Sequence, residues 1–362
     1  MRTAVRGLIV AGVGVVGTAL LAAAAVCLGS GCSNIGYYGQ AVAGHLSLMA
    51  KAKPAADWLA DSHTPAALRA RLQLSQQIRD FAITELKLPD NHSYRAYADL
   101  QRSAAVWNVV ATPELSLTLK TWCFALMGCV GYRGYFDRAD ADALAATLRA
   151  QGMEVSVYGV PAYSTLGWAD WLGGDPLLNT FIDWPEGELA RLIFHELAHQ
   201  VAYAADDTTF NESFATAVER IGGQRWLATR PQASADYDVF AQRRADYRDL
   251  MQRQRDRLQA LYASDLDDAA KRVRKSELMA RWRGEYQDLK QQRWGGYGGY
   301  DSAVTRANNA SFGVQAAYYE LVPGFERLFE RQGRDFTRFY SEVNRLAALP
   351  KAERRATLNA NP

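Results

Sequence analysis

Apolar residues recur at helical spacing from Ile35 to about Leu88. They appear first in AVAGHLSLMAKAKPAADWLA, broken at Pro54, and then in ALRARLQLSQQIRDFAITELKL, which opens after Thr64 and Pro65. The period changes between Ala104 and Val160. AAVWNVVAT, a cysteine segment, GYRGYF and MEVSVYGV read as strands, and ADALAATLRAQG reads as one interposed helix. LPDNHSYRAYADL before this region and PAYSTLGWADWLGGDPLLN after it are rich in turn-formers and aromatics, which predicts loops.

Helical spacing returns in LIFHELAHQ and its flanks. Leu189, Leu192, Ile193, Leu197 and Val201 supply an apolar face, Pro185 falls in the first turn, and Asp183 and Glu186 stand at capping-box spacing. A short connection from Tyr203 to Phe210 predicts a reversal and a second helix through NESFATAVE. From Asp236 to Arg293 the composition turns to Arg, Asp, Gln and Glu, with two apolar stripes. Val239, Phe240, Tyr247, Leu250, Met251, Leu258, Leu261 and Tyr262 form one, and Val273, Leu278, Met279, Trp282 and Tyr286 the other. A break at Ser264 and Asp265 makes this a long charged helical pair, a solvated structure or a surface for a protein partner. WGGYGGY is a glycine-aromatic loop. Asn308 and Asn309 then begin or line an apolar helix, where they cap it, bond backbone, or hold a substrate main chain.

The chain has 362 residues, about half of them apolar, and a formal net charge of +2, so it has ample core and no basic block of the kind that binds nucleic acid. Arg2 and Arg6 precede an uncharged apolar run from Gly7 to Leu28, which predicts a targeting segment at residues 1–31. Gly29, Ser30 and Gly31 before Cys32 resemble a bacterial lipobox. That resemblance implies a lipidated Cys32 and a membrane-anchored chain at the periplasmic face of the outer membrane; an uncleaved anchor is the alternative. Cys123 and Cys129 then remain as a pair, either a short disulfide loop or two buried thiols.

The chemistry is concentrated in H-E-x-x-H. His195 and His199 are four apart, so on a helix they stack one turn above the other and can point two imidazoles at one tetrahedral zinc. Glu196 beside them is placed to take a proton from water at the zinc and pass it to a leaving amine. Asn-Glu followed by small and aromatic residues in NESFATAVE resembles the third-ligand stretch of the gluzincins, the thermolysin-like group, and that resemblance implies Glu212 as a metal ligand. Glu219, two turns further along, either orients a histidine from behind or is a solvated helix charge. Tyr163 and Ser164 are candidate donors to substrate oxygens, Trp168 and Trp171 candidate pocket walls, and His92 a loop histidine.

LPDNHSYRAYADL, WNVVATPELSL, TWCFALMGCVGYRGYF, GVPAYSTLGW, LIFHELAHQ with NESFA, and the late NNA together resemble the putative aminopeptidase family of bacterial envelope lipoproteins. The likeness spans nearly the whole chain after Cys32. It implies an α+β, mainly helical, zincin-like peptidase domain over residues 32–362, with a small mixed sheet and with residues 236–293 as a helical-pair insertion. It also implies one zinc ion held by His195, His199 and Glu212, Glu196 as the catalytic base, and a peptide substrate. In that fold an edge strand, here Val155, Val157 and Gly159, runs along the cleft. The chain carries no G-x-M-E-N stretch, by which gluzincin aminopeptidases hold the substrate amine, so Asp170, Asp175 and Glu219 are the carboxylates to consider. Endopeptidase action and a catalytically silent envelope scaffold are the competing functions.

Overall fold

The computed structural model describes residues 35–124, 128–163, 174–205 and 207–360. The targeting run and Cys32 lie outside them, as do Ser164, Trp168, Asp170 and Trp171. The architecture is α+β and 61% helical, with small sheets of two or three strands.

The elements follow the predicted order except in the two stretches read as loops, which each hold a short strand, Ala96–Ala98 and Leu177–Leu178, paired with one another in parallel. α1 (Ile35–Met49), β1 (Lys53–Pro54), α2 (Ala55–Ala60) and α3 (Ala66–Thr84) precede the strands β2 (Ala96–Ala98), β3 (Val106–Pro113), β4 (Trp122–Phe124), β5 (Gly128–Val130) and β6 (Arg133–Tyr135). α4 (Arg138–Ala150), β7 (Met153–Val160) and β8 (Leu177–Leu178) lead to the histidine helix α5 (Glu186–Ala198) and its neighbour α6 (Thr208–Ala228). The long pair is α7 (Pro231–Tyr262) and α8 (Asp268–Gln292), followed by α9 (Asp301–Arg306), α10 (Asn309–Tyr319), α11 (Val322–Arg331), α12 (Phe336–Ala347) and α13 (Lys351–Asn359).

The sheet that borders the site has the order β6-β3-β7 and is wholly antiparallel, with β7 paired along its length to β3 and forming an edge. The expected mixed pairing occurs elsewhere, in β1-β2-β8, where β2 and β8 run parallel. Alternation sorts the faces. Val109, Ala111 and Val155 pack with Ala141, Ala145 and Leu148 of α4, so Asn108 and Tyr158, one position out of phase, face the other way. The hairpin β4-β5 carries Cys123 opposite Cys129, and the two form a disulfide.

Two further expectations, the capping box and the apolar stripes, need correction. The capping box at α5 is not made: Pro185 is the N-cap without a side-chain bond, Arg71 of α3 donates to the carbonyl of Ile182 at 2.7 Å, and Glu186 accepts from Trp226 Nε1 at 3.1 Å. In the charged helical pair, α7 begins at Pro231 and Tyr237 lies against Gly187 of α5. Of its stripes, Leu250, Met251, Leu258, Met279, Trp282 and Tyr286 are buried together, but Val239 and Val273 are exposed. The polar C-terminal stretch forms α13, which reaches the start of α6. Arg354 and Arg355 of α13 both pair with Asp207, at 3.3 and 2.6 Å, and fully buried Asp207 also accepts from Phe210 N as the N-cap of α6. Asp207→Ala removes that cap and leaves buried Arg354 without its counter-charge, so a loss of about 3–5 kcal/mol in denaturant unfolding is expected.

Candidate metal centre

α5 and α6 pack antiparallel, as their pairings show: His195 meets Glu212, Arg191 meets Glu219, and Glu186 meets Trp226. Leu189, Ile193, Phe194 and Leu197 bury one side of α5, and Phe210, Phe214, Ala217 and Val218 bury α6 in the same core. Close approach depends on two glycines. A Cβ on Gly223 would sit 2.7 Å from Arg191 Cγ, and one on Gly222 would sit 3.0 Å from Phe194 Cδ2, so larger residues there would push the helices apart. The connection is set by Asn211, whose amide bonds both backbone groups of Ala204, accepting from its N at 2.8 Å and donating to its O at 3.0 Å. This places Glu212, the next residue, on the side facing the histidines.

His195 Nε2, His199 Nε2 and a Glu212 carboxylate oxygen form a small triangle. The nitrogens are 3.2 Å apart, and the oxygen is 3.4 Å from His195 and 3.6 Å from His199. Zinc bonds of about 2.0–2.1 Å at the tetrahedral angle separate neighbouring ligand atoms by about 3.3 Å, so this donor set fits one face of a zinc coordination sphere. Among the described residues these three form a group whose ligand atoms could hold a metal.

Behind His195, Glu219 Oε2 accepts from Nδ1 at 2.9 Å, and its other oxygen accepts from Arg191, which also donates to Tyr237 OH at 2.6 Å. With Nδ1 protonated toward Glu219, the Nε2 lone pair of His195 is free to point into the triangle. His199 differs, since its buried Nδ1 has no hydrogen-bond partner among the described residues. Glu219 is thus an orienting group for one ligand only. Glu219→Gln is expected to weaken zinc binding about 10–100-fold with the fold retained. Unchanged affinity in a competitive chelator titration would show that the contact does not support the site.

Charge explains what the pocket wants. Burial pushes the Glu212 carboxyl up, but the charges and hydrogen bonds of His199 and His195 outweigh this and hold it down at about 2. Burial likewise raises Glu219, and Arg191 and His195 bring it to about 2. Glu196 is raised by its burial, with the two histidines offsetting part of this and Glu212 and Asp175 adding to it. A buried set of three carboxylates around two imidazoles favours a cation.

A family model described as "Putative aminopeptidase" matches residues 36–358. The chain belongs to that family. No curated protein and no solved structure matches it. Membership supports a peptidase-like function in the coarse sense.

The remaining sequence candidates fall in different places. Asn308 and Asn309 both bond backbone, and Asn308 also caps α10, its Oδ1 accepting from Ser311 N at 3.3 Å. Asn308 donates to Val155 O at 3.1 Å, while Asn309 donates to Glu114 O at 2.7 Å and accepts from Tyr262 OH at 2.8 Å, stitching α10 to the sheet and α7. Tyr163 packs on the rings of Phe136 and His45, and burial with the nearby Asp175 charge pushes its hydroxyl up to about 12. His92 is exposed and lies outside the metal group. Asp175 is buried near Glu196 and accepts from Gln200 Nε2 at 3.5 Å.

Sequence reasoning missed three tyrosines. Tyr158 hydrogen-bonds Asn108 and is raised to about 12 by burial and by the charge of Glu212, and Tyr132 is raised by the same two causes. Strand phase would have found Tyr158, since it alternates with the core valines of β7, whereas nothing in GYRGYF marks Tyr132. Tyr94 is fully buried at a φ of 63°, its hydroxyl has no partner among the described residues, and the charges of Glu196 and Asp175 add to the effect of burial on it. Arg79 holds its loop through Ser93 O, and Gln200, just past the histidine helix, accepts from Asn91 at 2.6 Å.

Proposed function

We propose that the chain is a zinc-dependent peptidase of the bacterial cell envelope, anchored through a lipidated Cys32, that trims peptides from the N-terminus. The observation that carries the zinc reading is the triangle of His195, His199 and Glu212, of the size zinc requires, with Glu219 orienting His195 from behind. Bound there, zinc would polarise the scissile carbonyl and make water a stronger acid.

The chain's own residues divide the remaining work. Glu196 accepts the proton of the attacking water and returns it to the leaving amine, and its burial raises its carboxyl toward the range that suits both transfers. Tyr158 and Tyr132, close enough to Glu212 to feel its charge, are the phenols available to donate to a developing oxyanion. The edge strand β7 offers backbone to an extended peptide. Val160 O accepts from Ala105 N, on the β3 side, and Val155 O accepts from Asn308, on the open side. Strand parity then turns the N–H and C=O of Val157 and Gly159 outward too.

N-terminal trimming follows the family description and requires a group for the substrate ammonium. Glu219 is committed to His195 and Arg191, which leaves Asp175, beside Glu196, as the carboxylate among the described residues to carry that role. The test compares a peptide with its N-acetylated twin. A large loss of rate on acetylation, reproduced on the free peptide by Asp175→Asn with zinc retained, supports exopeptidase action. Equal rates on both peptides would make the protein an endopeptidase.

A further inference from the structure

We infer that the outer face of α1 is a membrane-contact surface, seated in the headgroup region of a lipid bilayer. From Ile35 to Ala50 the chain has no Asp, Glu, Lys or Arg, although charged residues make up 22% of the whole. The inner side of the helix is fixed against the domain. Leu48 is buried, a Cβ on Gly44 would collide with the Phe136 ring, Tyr37 packs on Phe124, and Gln40 donates to Gly134 O at 3.3 Å. These contacts set the rotation of the helix and turn Gly39, Val42, Ala43, Leu46, Ser47 and Ala50 outward. At about 100° per residue these six positions share one arc of about 140°.

Val42 is 59% exposed and Leu46 57% exposed, one turn apart on that arc. The exposed face of α8, by contrast, carries charge pairs, Arg274 with Glu277 and Arg281 with Glu285. A solvated face of six positions with one hydroxyl and no charge suits a less polar neighbour than water.

The chain ahead of α1 says which neighbour. Cys32 stands three residues before Ile35, so even a fully extended link spans only about 10 Å. A lipid anchor on Cys32 therefore holds the first turn of α1 at the bilayer surface, and exposed Lys51 follows the helix as a cationic partner for anionic headgroups. This inference rests on the lipidation proposed above.

The test uses the full, acylated chain carrying Leu46→Cys, with Cys123 and Cys129 joined in their disulfide, so that an environment-sensitive fluorophore attaches at residue 46. Val273→Cys, at a 63% exposed position of α8, serves as the control. Both proteins are placed on phosphatidylethanolamine and phosphatidylglycerol vesicles that contain a nitroxide-headgroup lipid. A blue-shifted, strongly quenched probe at 46 beside an unquenched probe at 273 is the expected result. Equal quenching at the two positions, with the acyl label on Cys32 intact, overturns the membrane face and leaves lipidation standing. Absence of acyl label on Cys32 overturns both.

Discussion

Glu196→Gln is expected to bind zinc like the parent chain and to cleave peptides about 10²–10⁴-fold more slowly, with the loss in kcat rather than in KM. The amide keeps the shape of the side chain but cannot accept a proton, and His195, His199 and Glu212 supply the ligand atoms without it. Steady-state kinetics together with metal content on one preparation check both halves. Loss of zinc in this variant would mean that Glu196 is a ligand and the base lies elsewhere, whereas full activity with zinc bound would exclude it from proton transfer.

His195→Ala and His199→Ala are expected to lower zinc affinity by more than the about 10–100-fold of an orienting partner, since each removes a ligand atom of the triangle. The pH dependence of the parent carries the same argument. In the metal-free chain burial lowers His195, but its hydrogen bonds to Glu212 and Glu219 and the charges of Glu219 and Glu196 outweigh it and raise it well above 6.5. Zinc must displace that proton, so the affinity climbs as pH rises through the raised value and levels off above it. Stability of the metal-free chain has the opposite sign. A raised folded pKa contributes stability that is complete below 6.5 and is lost as pH rises through the folded value, so its Tm falls on the alkaline side. The depressed values of Glu212 and Glu219 act at the other end, with stability complete above 4.5 and lost as pH falls toward about 2. Zinc affinity that stays constant between neutral and alkaline pH would contradict this account of the pocket.

The zinc reading and the fluorescence test of α1 meet different parts of the chain. The two histidines are buried and Glu196 beside them is half-buried, whereas the face bearing Val42 and Leu46 is exposed, so the outcome of either leaves the other standing.

Local patterns in the sequence were enough for the longer helices and strands and for the juxtaposition of the two histidines. Period alone separates the strands of 104–160 from the helices around them, because a strand buries alternate residues and a helix every third or fourth. Likewise the spacing of His195 and His199 needs only one helical turn to bring two imidazoles together, so a local rule suffices. What depends on two segments meeting had no such rule. Whether Glu219 was a solvated charge or a partner of His195 was settled by how closely α6 approaches α5, which rests on Gly222 and Gly223. No local rule separates capping, backbone bonding and a cleft role for Asn308 and Asn309, whose partners depend on where β7, α7 and the chain after β3 lie. Tyr132 and the Asp207–Arg354 pair were illegible for the same reason. A phenol is assigned to the Glu212 pocket, and a buried charge to its counter-charge 147 residues away, only by the packing of elements whose local sequence says nothing of one another.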